Sequence, residues 1–379
     1  MVHKLNWSKK VVSMTVHFGG LLYREDNECY LSNISLSQRD VDLIRMSRDE
    51  IRSHLKISYP QILEQMTRKH PKAPRFFTQG SFKYRTLNKP DKVPPQQADI
   101  DDGCYLPMEY ITDIGKRPEI ASKCVFQAAD TALKSLCVKK NWELITTKET
   151  CVRIVINKTI HVDIPFYAIP QSKFSELEVA RDSSLFMDSA RDWSELPTDE
   201  VLLAHRKDGW IQSDPKRVSE WFTQCVQNKG EQLRRLIRYI KAIRDHHWVA
   251  GGPSSLLLMV IANEIYEPNS YDDGDALRAL MMQLPDYFKM NICNPCDAGE
   301  SLTDRLGREG CDEAYIYFKK INKDLEQACR IVTKDTKLEF ILSLQEKVFG
   351  PRLPIDMSAV TVSEHYKIDG APFSRTKAG

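Results

Sequence analysis

Three aspartates, Asp99, Asp101 and Asp163, carry the chemistry most legible in this chain. Ala98-Asp99-Ile100-Asp101-Asp102-Gly103 reads as an extended segment, and residues two apart on a strand project to one face. Asp99 and Asp101 therefore point together, with Ile100 turned into the core. Two carboxylates so close repel unless a divalent cation lies between them. Hard oxygen ligands of this kind suit magnesium, which also takes phosphate oxygens. A third carboxylate comes from a later segment, where Ile160, Val162 and Ile164 alternate with His161, Asp163 and Pro165. That alternation buries one face and shows Asp163 on the other. If the two strands are neighbours, the three aspartates hold two metals about 4 Å apart, a spacing that serves both oxygens of an in-line displacement. Upstream, Gln79-Gly80-Ser81 supplies the other half: glycine lets backbone amides approach a phosphate, and serine adds a hydroxyl. Taken singly, an Asp-x-Asp is commonly a solvated strand edge and a Gly-Ser says little. Their order is what points to phosphoryl or nucleotidyl transfer, which depends mainly on positioning and charge neutralisation.

The elements that must position these residues follow from periodicity. From Leu36 to Leu55 the pattern is helical, with Val41, Leu43, Ile44, Ile51 and Leu55 on a broad apolar face. Arg45, Arg48 and Arg52 fall on another face, either a solvated stripe or the lining of a cleft. Lys83 to Gln97 is polar, carries Pro90, Pro94 and Pro95, and reads as a loop. Ala98 to Met108 is extended, and a helix runs from near Ile120 to Lys140. Cys151–Ile156 and Thr159–Tyr167 form two strands joined like a hairpin at Asn157-Lys158. From Pro215 onward the pattern is helical. Leu233, Leu236, Ile237, Ile240 and Ile243 make an apolar face beside a basic stripe of Arg234, Arg238, Lys241 and Arg244. Helical patterns recur at Ser254–Tyr266, Ala276–Leu284 and Ala314–Val348, and turn formers follow Pro351. The expected fold is α+β: a nucleotidyltransferase lobe over 1–215 with a mixed sheet, a helical lobe over 216–350, and a flexible tail over 351–379.

Composition narrows the alternatives. The 379 residues carry 54 Lys plus Arg against 52 Asp plus Glu, a net charge of +2. A protein living on long nucleic acid by phosphate neutralisation shows a larger basic excess. The longest apolar run, Leu256 to Ala262, is far below the roughly 20 residues of a membrane span. No secretory signal is recognisable at the start, and ten scattered cysteines read as reduced thiols of a cytoplasmic protein. Cys293 and Cys296 form one CxxC with Cys311 beyond, short of a four-ligand zinc site.

The order Gly-Ser, Asp-x-Asp and a later single Asp resembles the DNA polymerase β-like nucleotidyltransferases. Five blocks are similar to the bacterial cyclic GMP–AMP synthase type within the cGAS/DncV-like nucleotidyltransferases of anti-phage signalling. These are Pro74–Phe82, Asp99–Met108, Ile160–Pro170, Trp210–Lys216 and Gly251–Ser255. The resemblance implies that Asp99, Asp101 and Asp163 are the metal-binding catalytic residues, with two Mg2+ ions and Mn2+ able to substitute. It implies that Gln79, Gly80, Ser81, Lys241, Ser254 and Ser255 contact the donor triphosphate. Tyr105 matches a base-stacking aromatic, Arg153 a residue facing the acceptor, and Ser213 with Asp214 contacts to a base edge. Each has a plainer reading: core packing for Tyr105, a surface strand residue for Arg153, a helix cap for Ser213-Asp214-Pro215. ATP and GTP are the implied substrates and cyclic GMP–AMP the implied product, with no obligatory DNA. Gly379 resembles a site joined to a target by a ubiquitin-transfer-like E1–E2 partner. An RNA-extending or linear-oligonucleotide enzyme, and a silent scaffold acting through its tail, are the competing readings.

Overall fold

Parallel pairing of the two aspartate strands is the centre of the fold. In the computed structural model, strand β3 (Ala98–Pro107) lies beside β6 (Ile160–Ile169), entering through Ala98 N–H donating to Thr159 O at 2.7 Å. The register sets Asp99 opposite His161 and Asp101 opposite Asp163. The structure describes residues 10–25, 27–68, 70–107, 118–170, 174, 201–213, 215–268 and 272–367. Asp214 and Gly379 lie outside the described residues.

The chain divides into two units, one of residues 34–264 and 291–307, the other of residues 1–33, 265–290 and 308–379. The first holds a seven-stranded mixed sheet in the order β2 (Arg75–Gln79), β3, β6, β5 (Cys151–Val155), β4 (Glu143–Ile145). The hairpin of β7 (Leu202–His205) and β8 (Gly209–Gln212) extends it from β6. Only the β3–β6 pair is parallel among these ladders. Helices α1 (Gln38–Thr67) and α2 (Pro118–Lys140) cover the apolar face. Ile51, Leu55, Phe126 and Leu133 pack there with Ile100, Val162, Ile164 and Phe166, all buried. Ser37 starts α1 with a reciprocal cap: its Oγ accepts from Asp40 N–H at 3.1 Å, and the Asp40 carboxylate accepts from Ser37 N–H. A short turn, Gly80–Lys83, follows β2, and α3 (Pro215–Lys229), α4 (Glu231–His247) and α5 (Ser255–Ile265) complete the element list around the site.

The expected division at 216 and 350 differs from the observed one. Helices α3 and α4 belong with the sheet. Helices α6 (Asp273–Tyr287) and α7 (Arg308–Ile331) belong to the other unit. Arg278 pairs bidentately with Glu326 there, at 2.8 and 2.9 Å, and Phe288 stacks on Phe318. The single pattern expected from Ala314 to Val348 is interrupted after Ile331, where Thr333 and Thr336 bond each other before helix α8 (Lys337–Leu344). The tail expected from 351 is ordered as far as Lys367. Strand β11 (Thr361–Lys367) pairs antiparallel with β1 (Lys10–His17), and that partner lies too far away in sequence for a local pattern to reveal it. A third small pairing, β9 (Cys293–Asn294) with β10 (Asp297–Ser301), places Cys293 and Cys296 in a hairpin. No helix among the described residues is long and apolar enough to cross a membrane.

The arginine stripe on α1 runs from an exposed Arg45 to a buried Arg52. Arg52 is 4% exposed and donates to both oxygens of Asp102 at 2.7 and 2.6 Å, while Thr78 Oγ1 donates to Asp102 Oδ1 at 3.0 Å. Removing one member of a buried pair leaves the other charge uncompensated. Arg52→Met is therefore expected to cost about 3–5 kcal/mol, read as a lowered denaturant midpoint. Adding Asp102→Leu should recover a substantial part of that loss.

Candidate active site

Burial sets the electrostatics of the aspartate cluster. Every residue of β6 is buried, so the acidic face expected to be open is covered as well. Burial raises the Asp101 carboxyl well above the usual carboxylate range, and the negative charges of Asp99 and Asp163 push the same way. Burial opposes ionisation of Asp99 too, but the contact with His161 and the charges of Arg153 and Lys148 outweigh it and hold that carboxyl below its ordinary value. Asp163 is held by Arg153, whose Nε and Nη2 donate to its two oxygens at 2.7 Å each. The arginine expected to face an acceptor nucleotide thus neutralises the third carboxylate.

The residues present fit a divalent cation. Asp99 Oδ1 is a fully covered oxygen with no hydrogen-bond partner, although 46% of the side chain is exposed toward the cleft. One ligand atom each from Asp99, His161 and Asp163 lies within 4.8 Å of the others. Asp101 shares their face by its register with Asp163. An orphaned buried oxygen among mutually repelling carboxylates is the arrangement that a hard cation relieves.

A cavity of about 240 Å3 opens beside this cluster, lined among others by Ser81, Asp99, Asp101, Lys241, Arg244 and Ser255. Lys241 is 3% exposed, and its Nζ donates to Ser81 Oγ at 3.0 Å and Thr86 O at 2.8 Å. Burial, then the neighbouring Arg244 charge, push it down to about 7. Arg244 joins α4 to the start of α5, donating to Pro253 O at 2.9 Å and Ser255 Oγ at 3.4 Å. Ser254 caps α5 by accepting from Leu257 N–H. Gly80 has φ +67°, and a β-carbon there would overlap Asp101 Oδ2. Its absence makes room for the carboxylate.

Other expected contacts sit elsewhere. Tyr105 shares the face of Asp99 and Asp101 by strand alternation, yet it is 1% exposed, stacked on Tyr167 at 4.8 Å and edge-on to Phe77. Val201 and Leu203 complete its cover, so it packs the core here and is not open to a base. Gln79 is buried and donates its amide to Tyr167 OH at 2.8 Å. Ser213 donates its backbone N–H to Val201 O and is absent from the cavity lining. Arg244 was legible as the next step of the basic stripe after Lys241. Gln97, which lines the cavity, had no signal in a loop of polar residues. The other arginines border a second cavity of about 510 Å3, where Arg45, Arg48, Arg52, Arg85 and Arg238 meet Phe76 and Phe77. Its chemistry suits an anionic ligand with an apolar part.

A model of the DncV-like cyclic GMP-AMP synthase nucleotidyltransferase domain matches residues 74–167, the stretch that contains all three aspartates. A model of the cyclic GMP-AMP synthase C-terminal domain matches residues 230–362. The chain belongs to the bacterial cGAS/DncV-like nucleotidyltransferases. The cyclic GMP-AMP synthase of Vibrio cholerae is 36% identical over 247 residues, and one from Escherichia coli is 36% identical over 245. Each alignment spans 60% of this chain and 56% of the relative, so the match covers little more than half of the relatives' length. Among solved structures, V. cholerae DncV in complex with the linear intermediate 5' pppA(3',5')pG superposes with a TM-score of 0.77 at 25% identity. It covers 93% of this chain and 100% of that one. DncV in complex with GTP and 5MTHFGLU2 superposes at 0.76, also at 25% identity, covering 92% and 99%. The α+β nucleotidyltransferase fold expected from the sequence is therefore present.

Two outcomes follow from the geometry. Gly80→Ala is expected to cost about 1–2 kcal/mol in backbone strain and, by displacing Asp101, to reduce kcat/KM at least about 100-fold. Thermal unfolding and steady-state kinetics separate the two effects. Lys241 is charged below about pH 7 and neutral above it, so affinity for an anionic ligand falls as pH rises through that value. The KM for a nucleoside triphosphate should climb between pH 7 and 9, by up to about tenfold per unit for one linked proton. Lys241→Met should show a raised KM without that rise.

Proposed function

We propose that this chain is a divalent-metal-dependent dinucleotide cyclase that joins ATP and GTP into cyclic GMP–AMP. The observation that carries the reading is the buried aspartate array on β3 and β6 opening directly into a cavity whose wall is Lys241, Arg244, Ser81 and Ser255. One side suits cations and the other suits a triphosphate. A site with both halves adjacent can bring an α-phosphate to the metals while the outer phosphates rest on the basic wall.

Asp99, Asp101 and Asp163 are the residues that would hold two Mg2+ ions. Bound there, the metal supplies charge neutralisation at the transferring phosphate and lowers the pKa of the attacking hydroxyl. Lys241 and Ser81 orient the donor triphosphate, and Ser255 and Arg244 fix the outer end. Asp163 would assist activation of an acceptor 3′-hydroxyl, with Arg153, which donates to both its oxygens, holding it in position. Attack on the donor α-phosphate forms the new phosphodiester and releases pyrophosphate. A second transfer in the same cleft closes the ring. DncV binding a linear 5' pppA(3',5')pG intermediate supports a two-step cycle, and DncV binding GTP supports the purine assignment. A role in anti-phage signalling and conjugation of Gly379 by an E1–E2 partner both rest on the resemblance alone.

The test is product analysis. Purified full-length protein with labelled ribonucleoside triphosphates, singly and in pairs, and magnesium should yield a phosphatase-resistant product with the mass of cyclic GMP–AMP. Asp99→Ala/Asp101→Ala should yield none. Linear products extending on added RNA would overturn the cyclase reading in favour of a polymerising enzyme.

A further inference from the structure

Lys241 is placed for chemistry beyond holding a phosphate. It sits on α4, three residues before Arg244, and its side chain is buried although it lines the cavity beside Asp99 and Asp101. A buried ammonium needs an anionic partner to hold its charge. Here both hydrogen-bond partners are neutral: Nζ donates to Ser81 Oγ at 3.0 Å and to Thr86 O at 2.8 Å. The surrounding charges are of both signs. On its own helix Arg244 and Arg238 oppose the ammonium and Asp245 favours it, and Asp99 of β3, which lines the same cavity, favours it too. Burial outweighs them all and leaves the group with a pKa of about 7.

The neutral amine is a directed nucleophile. It carries two N–H bonds, and the two acceptors account for both, so its fourth tetrahedral position is a lone pair. Thr86 is fully buried, whereas Ser81 and Lys241 line the cavity, which is therefore the side on which a reactant meets that lone pair. Desolvation and a neighbouring cation are the two devices that turn a lysine into a nucleophile toward carbonyl carbon. Burial supplies the first here and Arg244 the second. The same wall selects the reactant. Arg244 donates to Ser255 Oγ at 3.4 Å, so a guanidinium and a hydroxyl at the start of α5 stand beside the amine on one cavity wall. Both suit a phosphate oxygen. The cavity of about 240 Å3 admits a compact molecule that carries one phosphate and one carbonyl group.

We propose that Lys241 is a reversible modification site at which aldehydes carrying a phosphate monoester condense to an imine. The nitrogen lone pair attacks the carbonyl carbon and forms the new C–N bond. The carbonyl oxygen leaves as water, taking both amine hydrogens, and the step needs no oxidant or reductant. The phosphate rests against Arg244 and Ser255 while the imine takes the place of the ammonium. An adduct there fills the wall that would hold the donor triphosphate, so its formation shuts off nucleotidyl transfer. The inference rests on reading this cavity as the triphosphate subsite and adds a covalent chemistry to it.

Pyridoxal 5′-phosphate is the probe. The full-length protein is incubated with it, treated with borohydride to fix any imine, and mapped by peptide mass spectrometry. Lys241 should be modified at least about tenfold faster than any exposed lysine, because an unperturbed lysine is almost wholly protonated at neutral pH. The rate should rise with pH through about 7 and then level off, as the neutral amine replaces the ammonium. ATP should slow the modification, and pyridoxal without its phosphate should react there far more slowly. Transfer activity should return when an unreduced adduct is diluted. The peptide map needs no turnover, so it reads the site even if no cyclic product forms. Modification confined to exposed lysines, with Lys241 untouched, would overturn the imine site and leave the cyclase reading to its own products. Modification of Lys241 that ATP does not slow would overturn the triphosphate-subsite reading, and the proposal with it.

Discussion

Hydrogen bonding in a parallel ladder holds neighbouring strands a little under 5 Å apart, and here that spacing forces like charges together. The β3–β6 register places Asp99, Asp101 and Asp163 on one face, where the ladder holds them close together. Much of the surrounding structure compensates for this compression. Arg153 neutralises Asp163, His161 and Gln97 brace the side of Asp99, and Gly80 leaves a space that Asp101 fills. Even Asp102, pointing the other way, is matched by the buried guanidinium of Arg52. A cation would complete the balance at Asp99 Oδ1, which these contacts leave without a hydrogen-bond partner.

The chemistry was legible because it is local. Asp-x-Asp needs only the period of two to place both carboxylates on one face, and the alternation through Ile160–Pro165 showed Asp163 in the same way. Helical stripes gave α1 and α4, including Lys241 and its neighbour Arg244. What the sequence hid depends on distant partners. Tyr105 shows the alternation of a cleft residue, but the stacking of Tyr167, which follows it by 62 positions, removes it from the cleft. Strands β1 and β11 each look like terminal segments until they meet. His161 was visible only as the polar partner of an alternation, because the amide that orients it sits in a loop 64 positions earlier.

Two cavities of the sheet unit use cations differently. Around Phe76 and Phe77 five of the six cations are arginines, which keep their charge under all physiological conditions, with Lys83 beside them. Beside Asp99 and Asp101 the most deeply buried cation is a lysine, whose charge depends on its surroundings. One side chain has no conditional form; the other does.

That difference bears on what the active cleft attracts from a distance. With Lys241 close to half-charged at neutral pH and Arg244 paired to Asp245, the cleft offers little standing positive charge. Long polyanions, which are drawn to standing basic tracks, find little to steer them here, in keeping with a chain whose net charge is only +2. A triphosphate that has already entered stabilises the ammonium form, drawing a proton from solvent as it binds. The full cationic wall therefore forms only around a ligand small enough to be inside it.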